Sequence, residues 1–167
     1  MAAPMNSYRR AALTLLLAAM LAGAPASAQE LDWRPFEAAL AAADATDRPV
    51  LVDVYAPWCG WCHKMQRDTY PEVLGAAAGR RFVLTRLNRD DNRTTHRYRE
   101  QRLTSMRLAQ ALGAEGVPAL VFLAPTGEPL LQLSGFLEAD ALRPVLEYIG
   151  SGAYRTQSFE AFREDRP

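Results

Sequence analysis

Cysteine and lysine are almost absent from this chain, and it has no apolar run of membrane-spanning length. Its two cysteines lie three positions apart, so a bridge between them closes a loop too small to staple a fold, which excludes a disulfide-stapled scaffold. The apolar stretch from Ala11 to Ala24 is shorter than the roughly 18 to 20 residues of a spanning helix. The chain also lacks internal repeats and low-complexity segments, so one ordinary globular domain is expected.

The first residues, 1–28, have the organisation of a cleaved secretory signal peptide. Arg9 and Arg10 form a basic start, Leu13 to Leu21 an apolar core, and Ala26-Ser27-Ala28 a small-residue cleavage site. We therefore expect export to the periplasm, with an uncleaved membrane anchor as the alternative. The arginine pair suits an ordinary signal or a twin-arginine signal, so the export route stays open.

Net charge gives no evidence for a nucleic-acid partner. Without the predicted signal peptide the chain has 17 basic and 19 acidic side chains, and such a balance predicts no nucleic-acid binding. The one local asymmetry is the segment Arg80–Arg107, which has nine arginines and three acidic residues. A solvated surface explains such a segment, and docking of an acidic partner protein or a membrane surface is the alternative.

Hydrophobic periodicity predicts one α/β domain over residues 29–167, with a C-terminal tail over about 150–167 that carries Phe159 and Phe162. The last two predicted strands flank a turn short enough for an antiparallel hairpin. The predicted helices lie at 36–43, 60–78 (ended by Gly79) and 139–149, with further helical residues in the polar segment 93–112, and the predicted strands lie at 50–55, 82–87, 120–123 and 130–133. We expect a central mixed β-sheet flanked by helices.

The cysteines form the motif Cys59-Gly60-Trp61-Cys62, directly after the predicted strand 50–55 and at the start of the next helix. Free N–H groups and the helix dipole at a helix start favour an anion, which lowers the pKa of a thiol from its free value of about 8.5. We therefore expect Cys59 to be the attacking thiolate and Cys62, one turn further into the helix, to be the resolving thiol. An inert pair is the alternative.

Together with His63, the same residues match the C-x-x-C-H attachment sequence of c-type haem. Met106 could supply a distal ligand, although a methionine on an apolar face more often fills a core. A haem domain would be largely helical, whereas here an apolar strand leads into the motif and a strand hairpin follows. Haem c is thus the alternative, and we expect no metal and no cofactor beyond a redox-active Cys59–Cys62 disulfide.

Residues 52–62 resemble the active-site segment of the thioredoxin family. Gly116-Val117-Pro118, followed by the apolar run 119–122, is similar to that family's cis-proline loop and next strand. The resemblance covers about residues 33–150 and implies the thioredoxin fold. The long segment before the proline loop also resembles periplasmic SoxW-type thioredoxins, as do three pieces of the chain's ending, Leu146-Glu147-Tyr148-Ile149, Gly152-Ala153-Tyr154 and Ser158-Phe159.

Asp53 stands six residues before Cys59 in an otherwise apolar strand. The resemblance implies that it is the family's buried acid, which accepts a proton from the second cysteine, and burial would raise its pKa toward the working range. An exposed aspartate at a sheet edge is the alternative. Arg86 matches the position of the family's lysine partner to this acid. Because arginine keeps its charge, the proton path through Asp53 is left open.

The resemblance also implies which residues hold a partner. Pro118 is expected to follow a cis peptide bond from Val117 and to face the thiols, in a loop that binds an extended partner segment. A trans proline opening a strand is the alternative. Gly135 matches the family's second groove-lining glycine, and Trp58 and Trp61 could form an apolar docking surface beside the cysteines.

These residues together predict an exported thiol:disulfide oxidoreductase. The resemblance implies a monomer that receives electrons from a membrane thiol carrier and passes them to disulfides in partner proteins. An oxidant that donates disulfides would have the same residues, since the fold does not fix the direction. Trp61 replaces the proline usual between the cysteines of thioredoxins, so the redox potential is left open.

Overall fold

The computed structural model describes residues 31–75 and 79–164, and the predicted signal peptide, 1–28, lies outside them. The strands are β1 (Trp33–Arg34), β2 (Val50–Tyr55), β3 (Val83–Asn88), β4 (Thr95–Tyr98), β5 (Gln101–Thr104), β6 (Ala119–Leu123) and β7 (Pro129–Ser134). The helices are α1 (Phe36–Thr46), α2 (Gly60–Lys64), α3 (Tyr70–Val73), α4 (Ser105–Ala111), α5 (Ala139–Gly150) and α6 (Phe159–Glu164). A π turn, Met65–Thr69, joins α2 to α3. No helix in these two ranges is long and apolar enough to cross a membrane.

Five strands form one mixed sheet in the order β1-β3-β2-β6-β7. β1 and β2 both run parallel to β3, whereas β6 is antiparallel to β2 and forms the predicted hairpin with β7. An apolar run such as β2 suits the middle of a sheet, where both faces are covered. The predicted mixed sheet flanked by helices is confirmed, and its central strand leads directly to the cysteines.

Side chains alternate across β2, so the two faces of the sheet carry separate parts of the core. Val50, Val52 and Val54 pack on one face with α1 and α4. Leu51 packs on the other face with Met65, α3 and α5. By the same alternation, Asp53 lies on this second face.

The predicted helix 60–78 is wrong at its C-terminal end. Its last helical residue is Val73, and Gly79 begins a short 3-10 turn instead of ending a helix. An added Cβ at Gly75 would be 2.9 Å from the Pro71 carbonyl oxygen. Glycine fits there because it has no Cβ, so Gly75 suits the point at which the chain leaves the helix.

The prediction of helical residues across 93–112 is wrong for the first part of that segment, which forms the antiparallel hairpin β4–β5. Its turn residues, Arg99 and Glu100, both have positive φ, 48° and 65°. Two-residue turns of this kind usually contain Asn-Gly, so Arg-Glu gives no turn signal. Helix α4 begins after Thr104, whose Oγ1 accepts a hydrogen bond from the Arg107 N–H at 3.3 Å.

The C-terminal tail folds back onto α5. The ring centroid of Tyr148 is 5.3 Å from those of both Phe159 and Phe162, and Phe162 is buried. The Tyr148 hydroxyl donates a hydrogen bond to the Gln157 carbonyl oxygen at 2.7 Å. Both phenylalanines therefore belong to the packing on the α5 side of the sheet.

Candidate active site

The two cysteines lie where β2 ends and α2 begins, and a disulfide joins them. Cys59 is the N-cap of α2, and its Sγ accepts a hydrogen bond from the Cys62 N–H at 3.1 Å. Both residues are buried, with 4% of Cys59 and 1% of Cys62 exposed. In the reduced protein the same N–H group and helix start would stabilise a thiolate at Cys59.

Two hydrogen bonds hold the loop that precedes Cys59. His63 donates through Nε2 to the Pro57 carbonyl oxygen at 2.8 Å, because a carbonyl oxygen can only accept. The Trp58 indole N–H donates to the carboxylate of Asp90, which follows β3. The loop is therefore tied both to its own helix and to the end of the neighbouring strand.

Trp58 and Trp61 are 69% and 59% exposed, more than any other large apolar side chain in the described residues. The Trp61 ring lies against Phe136, with 5.1 Å between the ring centroids. The Lys64 ammonium is 5.3 Å from the Phe136 ring centroid. Clustered exposed apolar rings indicate an interaction surface, and Phe136 extends it, although nothing in the sequence distinguishes Phe136 from a core phenylalanine.

The predicted docking loop lies beside the disulfide. The Val117–Pro118 peptide bond is cis, as expected, and Val117 packs against the small cluster formed by Ala56 and the two cysteines. The Gly135 N–H donates to the Pro118 carbonyl oxygen at 2.9 Å. Gly135 has a φ of 89°, a left-handed conformation that favours glycine. The fold thus brings Val117, Pro118 and Gly135 together next to the cysteines.

Beneath β2, a cluster that we call the acid cluster consists of Asp53, Tyr70 and Arg86. Asp53 is 1% exposed, and its Oδ1 accepts a hydrogen bond from the Tyr70 hydroxyl at 2.7 Å. Its Oδ2 accepts from Nε of Arg86 at 2.9 Å, and the two residues are register partners on β2 and β3. The expectations of an interior Asp53 and of an Arg86 partner are therefore met.

Burial dominates the electrostatics of the acid cluster. It raises the pKa of Asp53, while the charge of Arg86 and the hydrogen bonds from Tyr70 and Arg86 act in the opposite direction. Burial and the neighbouring Asp53 charge raise the pKa of Tyr70 well above 10.0. The Tyr70 hydroxyl therefore stays protonated, and toward the ionised Asp53 carboxylate it acts as the donor.

Aromatic rings surround the Arg86 guanidinium. Its Cζ is 4.3 Å from the Tyr55 ring centroid and 5.1 Å from that of Trp33. Stacking on aromatic faces suits the planar guanidinium. Nη2 of Arg86 is buried and has no hydrogen-bond partner among the described residues, so the hydrogen bond to Asp53 comes from Nε alone.

Tyr70 is the member of the acid cluster that the sequence did not reveal. In an uninterrupted α-helix, position 69 would lie within about 20° of the face that carries Cys62, whereas position 70 would be about 80° away. The π turn Met65–Thr69 takes up one additional residue. Tyr70 is thereby rotated onto the buried face, and a pattern with a period of 3.6 residues cannot show this.

A second cluster, the hairpin cluster, consists of Glu37, His96 and Ser105 on the opposite face of the sheet. His96 Nδ1 is 3.4 Å from Oε2 of Glu37, and His96 Nε2 is 2.8 Å from Oγ of Ser105. The Arg97 N–H donates to Oε1 of Glu37 at 2.9 Å. Serine, histidine and carboxylate are the members of a hydrolase triad, but Ser105 is only 3% exposed. The cluster therefore anchors the β4–β5 hairpin to α1 and α4.

Comparisons with known proteins relate this chain to thioredoxin-like proteins. A family model described as a thioredoxin-like domain matches residues 36–150. The thiol:disulfide interchange protein DsbD of Vibrio vulnificus (strain CMCP6) is 30% identical over 112 residues, which cover 66% of this chain and 17% of that protein. The thioredoxin of Borreliella burgdorferi is 23% identical over 101 residues, which cover 60% of this chain and 73% of that protein. The chain thus spans less than a fifth of the length of the DsbD relatives it matches.

Two solved structures have the same fold. The C-terminal domain of DsbD from Neisseria meningitidis, in the oxidised form, has a TM-score of 0.50 at 26% identity and covers 70% of this chain and 97% of that one. A thioredoxin-fold protein from Helicobacter pylori has a TM-score of 0.59 at 20% identity and covers 72% of this chain and 80% of that one. The second likeness concerns the fold alone.

Proposed function

We propose that this chain, which belongs to the thioredoxin-like domain family, is a periplasmic reductant of disulfides in partner proteins. Its thiol:disulfide oxidoreductase activity follows from the family and from the Cys59–Cys62 pair. The single observation that carries the proposal is the position of this pair. The disulfide lies at a helix start, beside a cis-proline loop and two exposed tryptophans.

The dithiol transfers two electrons to a partner in two steps. The Cys59 thiolate attacks one sulfur of the partner disulfide, which forms a mixed disulfide and releases the other partner sulfur as a thiolate. Cys62 then gives its proton to Asp53 and attacks Cys59 Sγ. This second attack breaks the mixed disulfide, releases the reduced partner and leaves the Cys59–Cys62 disulfide.

Partner binding is assigned to the surface around the disulfide. An extended partner segment would lie along Val117 and Pro118, with Gly135 on its other side. Trp58 and Trp61 would contact apolar side chains of the partner, because both rings are exposed next to Cys59. The hydrogen bonds that hold the loop before Cys59 reduce the conformational entropy that is lost when a partner docks.

The electron donor and the compartment are inferred from the sequence and the relatives. The predicted signal peptide would carry the chain to the periplasm, where we expect it to act as a monomer. The DsbD relatives are named thiol:disulfide interchange proteins, and their likeness supports a membrane thiol carrier as the source of electrons. A periplasmic role in sulfur oxidation, as in SoxW-type thioredoxins, remains the narrower hypothesis.

The alternative of haem attachment has less support. A proximal histidine would have to turn a ring nitrogen toward iron, whereas Nε2 of His63 donates to the Pro57 carbonyl oxygen. Both sulfurs that haem would use are joined to each other. The motif also begins a helix packed on a mixed sheet rather than lying in a helical haem domain.

Trapping with a defined disulfide tests the roles of the two cysteines. We expect Cys62→Ala to accumulate a mixed disulfide with a disulfide-bonded model peptide, because Cys59 can attack but nothing resolves the product. Cys59→Ala should accumulate none. The products can be counted by mass spectrometry without reductant. Equal trapping by both variants would overturn the assignment, and no trapping by either would contradict the oxidoreductase function.

A further inference from the structure

The hydroxyl of Tyr70 is buried deep in the protein, with 1% of the residue exposed. The ring packs beside Trp33, with 6.0 Å between the ring centroids, and phenylalanine would fill the same space. A buried hydroxyl is unfavourable unless it is hydrogen-bonded. The bond from this hydroxyl to Oδ1 of Asp53 is therefore what distinguishes tyrosine from phenylalanine at this position.

The position of Tyr70 along the chain connects the acid to the redox pair. One continuous helical segment runs from Gly60 through the π turn to Val73, and it carries both Cys62 and Tyr70 on its buried side. Asp53 belongs to the strand that leads to Cys59. The hydrogen bond between Tyr70 and Asp53 thus joins the helix of one cysteine to the strand that precedes the other.

The two oxygens of Asp53 have different partners. Arg86 donates to Oδ2 and Tyr70 donates to Oδ1, and these are the titratable and charged groups that act on this carboxyl. A hydrogen bond to the ionised form of an acid favours that form, against the effect of burial. Arg86 supplies a fixed charge, so the Tyr70 hydroxyl is the uncharged donor that completes the site.

We propose that Tyr70 is a positioning residue for thiol–disulfide exchange, whose hydroxyl orients the Asp53 carboxylate and stabilises its ionised form, which accepts the Cys62 proton. The inference rests on the proposed role of Asp53. In the resolving step the proton moves from Cys62 Sγ to Asp53, the bond from Cys59 to the partner breaks, and the bond from Cys59 to Cys62 forms. The Tyr70 proton stays on its own oxygen.

The test compares Tyr70→Phe with Tyr98→Phe. Tyr98 is a matched control because it is also buried, and its hydroxyl donates one hydrogen bond, to the Gly127 carbonyl oxygen at 2.9 Å. It lies on the opposite face of the sheet, with the hairpin cluster. The probe is a symmetric aromatic disulfide that releases one coloured thiolate when Cys59 attacks and a second when Cys62 resolves. The second phase is independent of probe concentration and isolates the resolving step.

We expect the pH profile of the second-phase rate to be displaced in Tyr70→Phe by about one unit toward higher pH relative to the wild type. At low pH this is about a tenfold loss of rate, the size expected when one hydrogen bond to a carboxylate is lost. Tyr98→Phe should follow the wild-type pH profile. A Tyr70→Phe profile that superimposes on the wild type overturns the inference, and so does an equal displacement by Tyr98→Phe.

Asp53→Asn separates this inference from the proposed function. If the resolving rate of Asp53→Asn no longer rises with pH while that of Tyr70→Phe follows the wild-type profile, only the role of Tyr70 is wrong. If the resolving rate of Asp53→Asn rises with pH as in the wild type, the roles of both residues are wrong. Cys62→Ala trapping then still reports on the oxidoreductase function. Should Tyr70→Phe not fold, carbon NMR of the wild type decides. The Tyr70 Cζ signal must shift at the pH at which the Asp53 carboxyl titrates, and independent titration contradicts the inference.

Discussion

The acid cluster and the hairpin cluster each join three polar side chains within the fold, yet burial sets their carboxylates apart. Asp53 is 1% exposed, and burial raises its pKa. The Glu37 side chain is 48% exposed. Partial burial raises the pKa of Glu37, whereas several hydrogen bonds, among them those with Arg97 and His96, lower it, and the net shift is downward. The same chemical group thus has a raised pKa in one cluster and a lowered pKa in the other.

The surroundings of the two clusters match this difference. The acid cluster connects β2, which leads to Cys59, with the helix that carries Cys62. The hairpin cluster connects α1 with the β4–β5 hairpin and α4. We therefore expect changes in the acid cluster to alter exchange chemistry and changes in the hairpin cluster to alter stability alone.

The largest expected effect is on the resolving step. Asp53→Asn should slow it at neutral pH on the order of a hundredfold, because a positioned general base is lost. Glu37→Gln, the matched change in the hairpin cluster, should leave the rate at its wild-type value. Stopped-flow measurement of the second thiolate release compares the two variants. Equal slowing in both would remove the distinction between the clusters.

The pH dependence of stability provides the next effect. Because burial raises the pKa of Asp53 above its ordinary 3.8, the folded chain holds this proton more tightly than the unfolded chain. The free energy of unfolding should therefore fall as pH rises from about 3.8 through the folded pKa, by about 1.4 kcal/mol for each unit of elevation. Asp53→Asn should lack this component. Urea titrations at several pH values can measure the slope, and a component that rises with pH would contradict it.

Ser105→Ala should act on stability alone. It removes the partner of the buried His96 Nε2, and an unsatisfied buried polar group costs about 1 kcal/mol or more. The free energy of unfolding from urea titration should fall by that amount, while the pH profile of the resolving step stays unchanged. A displaced profile in Ser105→Ala would extend the chemistry to the hairpin cluster.

The smallest effect concerns the outer face of the same hairpin. Arg97 and Arg102 are direct cross-strand partners, both are exposed, and neither forms an ion pair within 31–75 and 79–164. Since like charges directly opposite each other destabilise a hairpin, Arg102→Thr should raise the free energy of unfolding by about 0.2 to 0.5 kcal/mol at low salt. The gain should disappear in concentrated salt, and a gain that persists there would exclude a charge effect.

The two hairpins show which parts of the fold the sequence can reveal. For β6–β7 the segment Pro125-Thr126-Gly127-Glu128 is a turn signal between two apolar runs, so the hairpin was predictable. The β4–β5 turn at Arg99 and Glu100 has the required backbone without the residues that usually signal it. Its strands are held by polar contacts of His96 and the Arg97 N–H with Glu37 on α1 and of His96 with Ser105 on α4, which no local pattern reports.

The candidate active site also contains residues that the sequence could place and residues that it could not. Cys59, Cys62 and Pro118 were placed from local motifs, and Asp53 and Arg86 from strand patterns together with the family resemblance. Tyr70 could not be placed, because its direction depends on the π turn before it. Phe136 was missed because its contact with Trp61 depends on the path of the chain after β7.

The most direct test of the central claim is an equilibrium redox titration of the purified protein, with the Cys59–Cys62 disulfide followed by tryptophan fluorescence. We predict a reduction potential near roughly −270 mV, as suits a reductant of protein disulfides. A potential near about −120 mV would contradict this account and indicate an oxidant that donates disulfides.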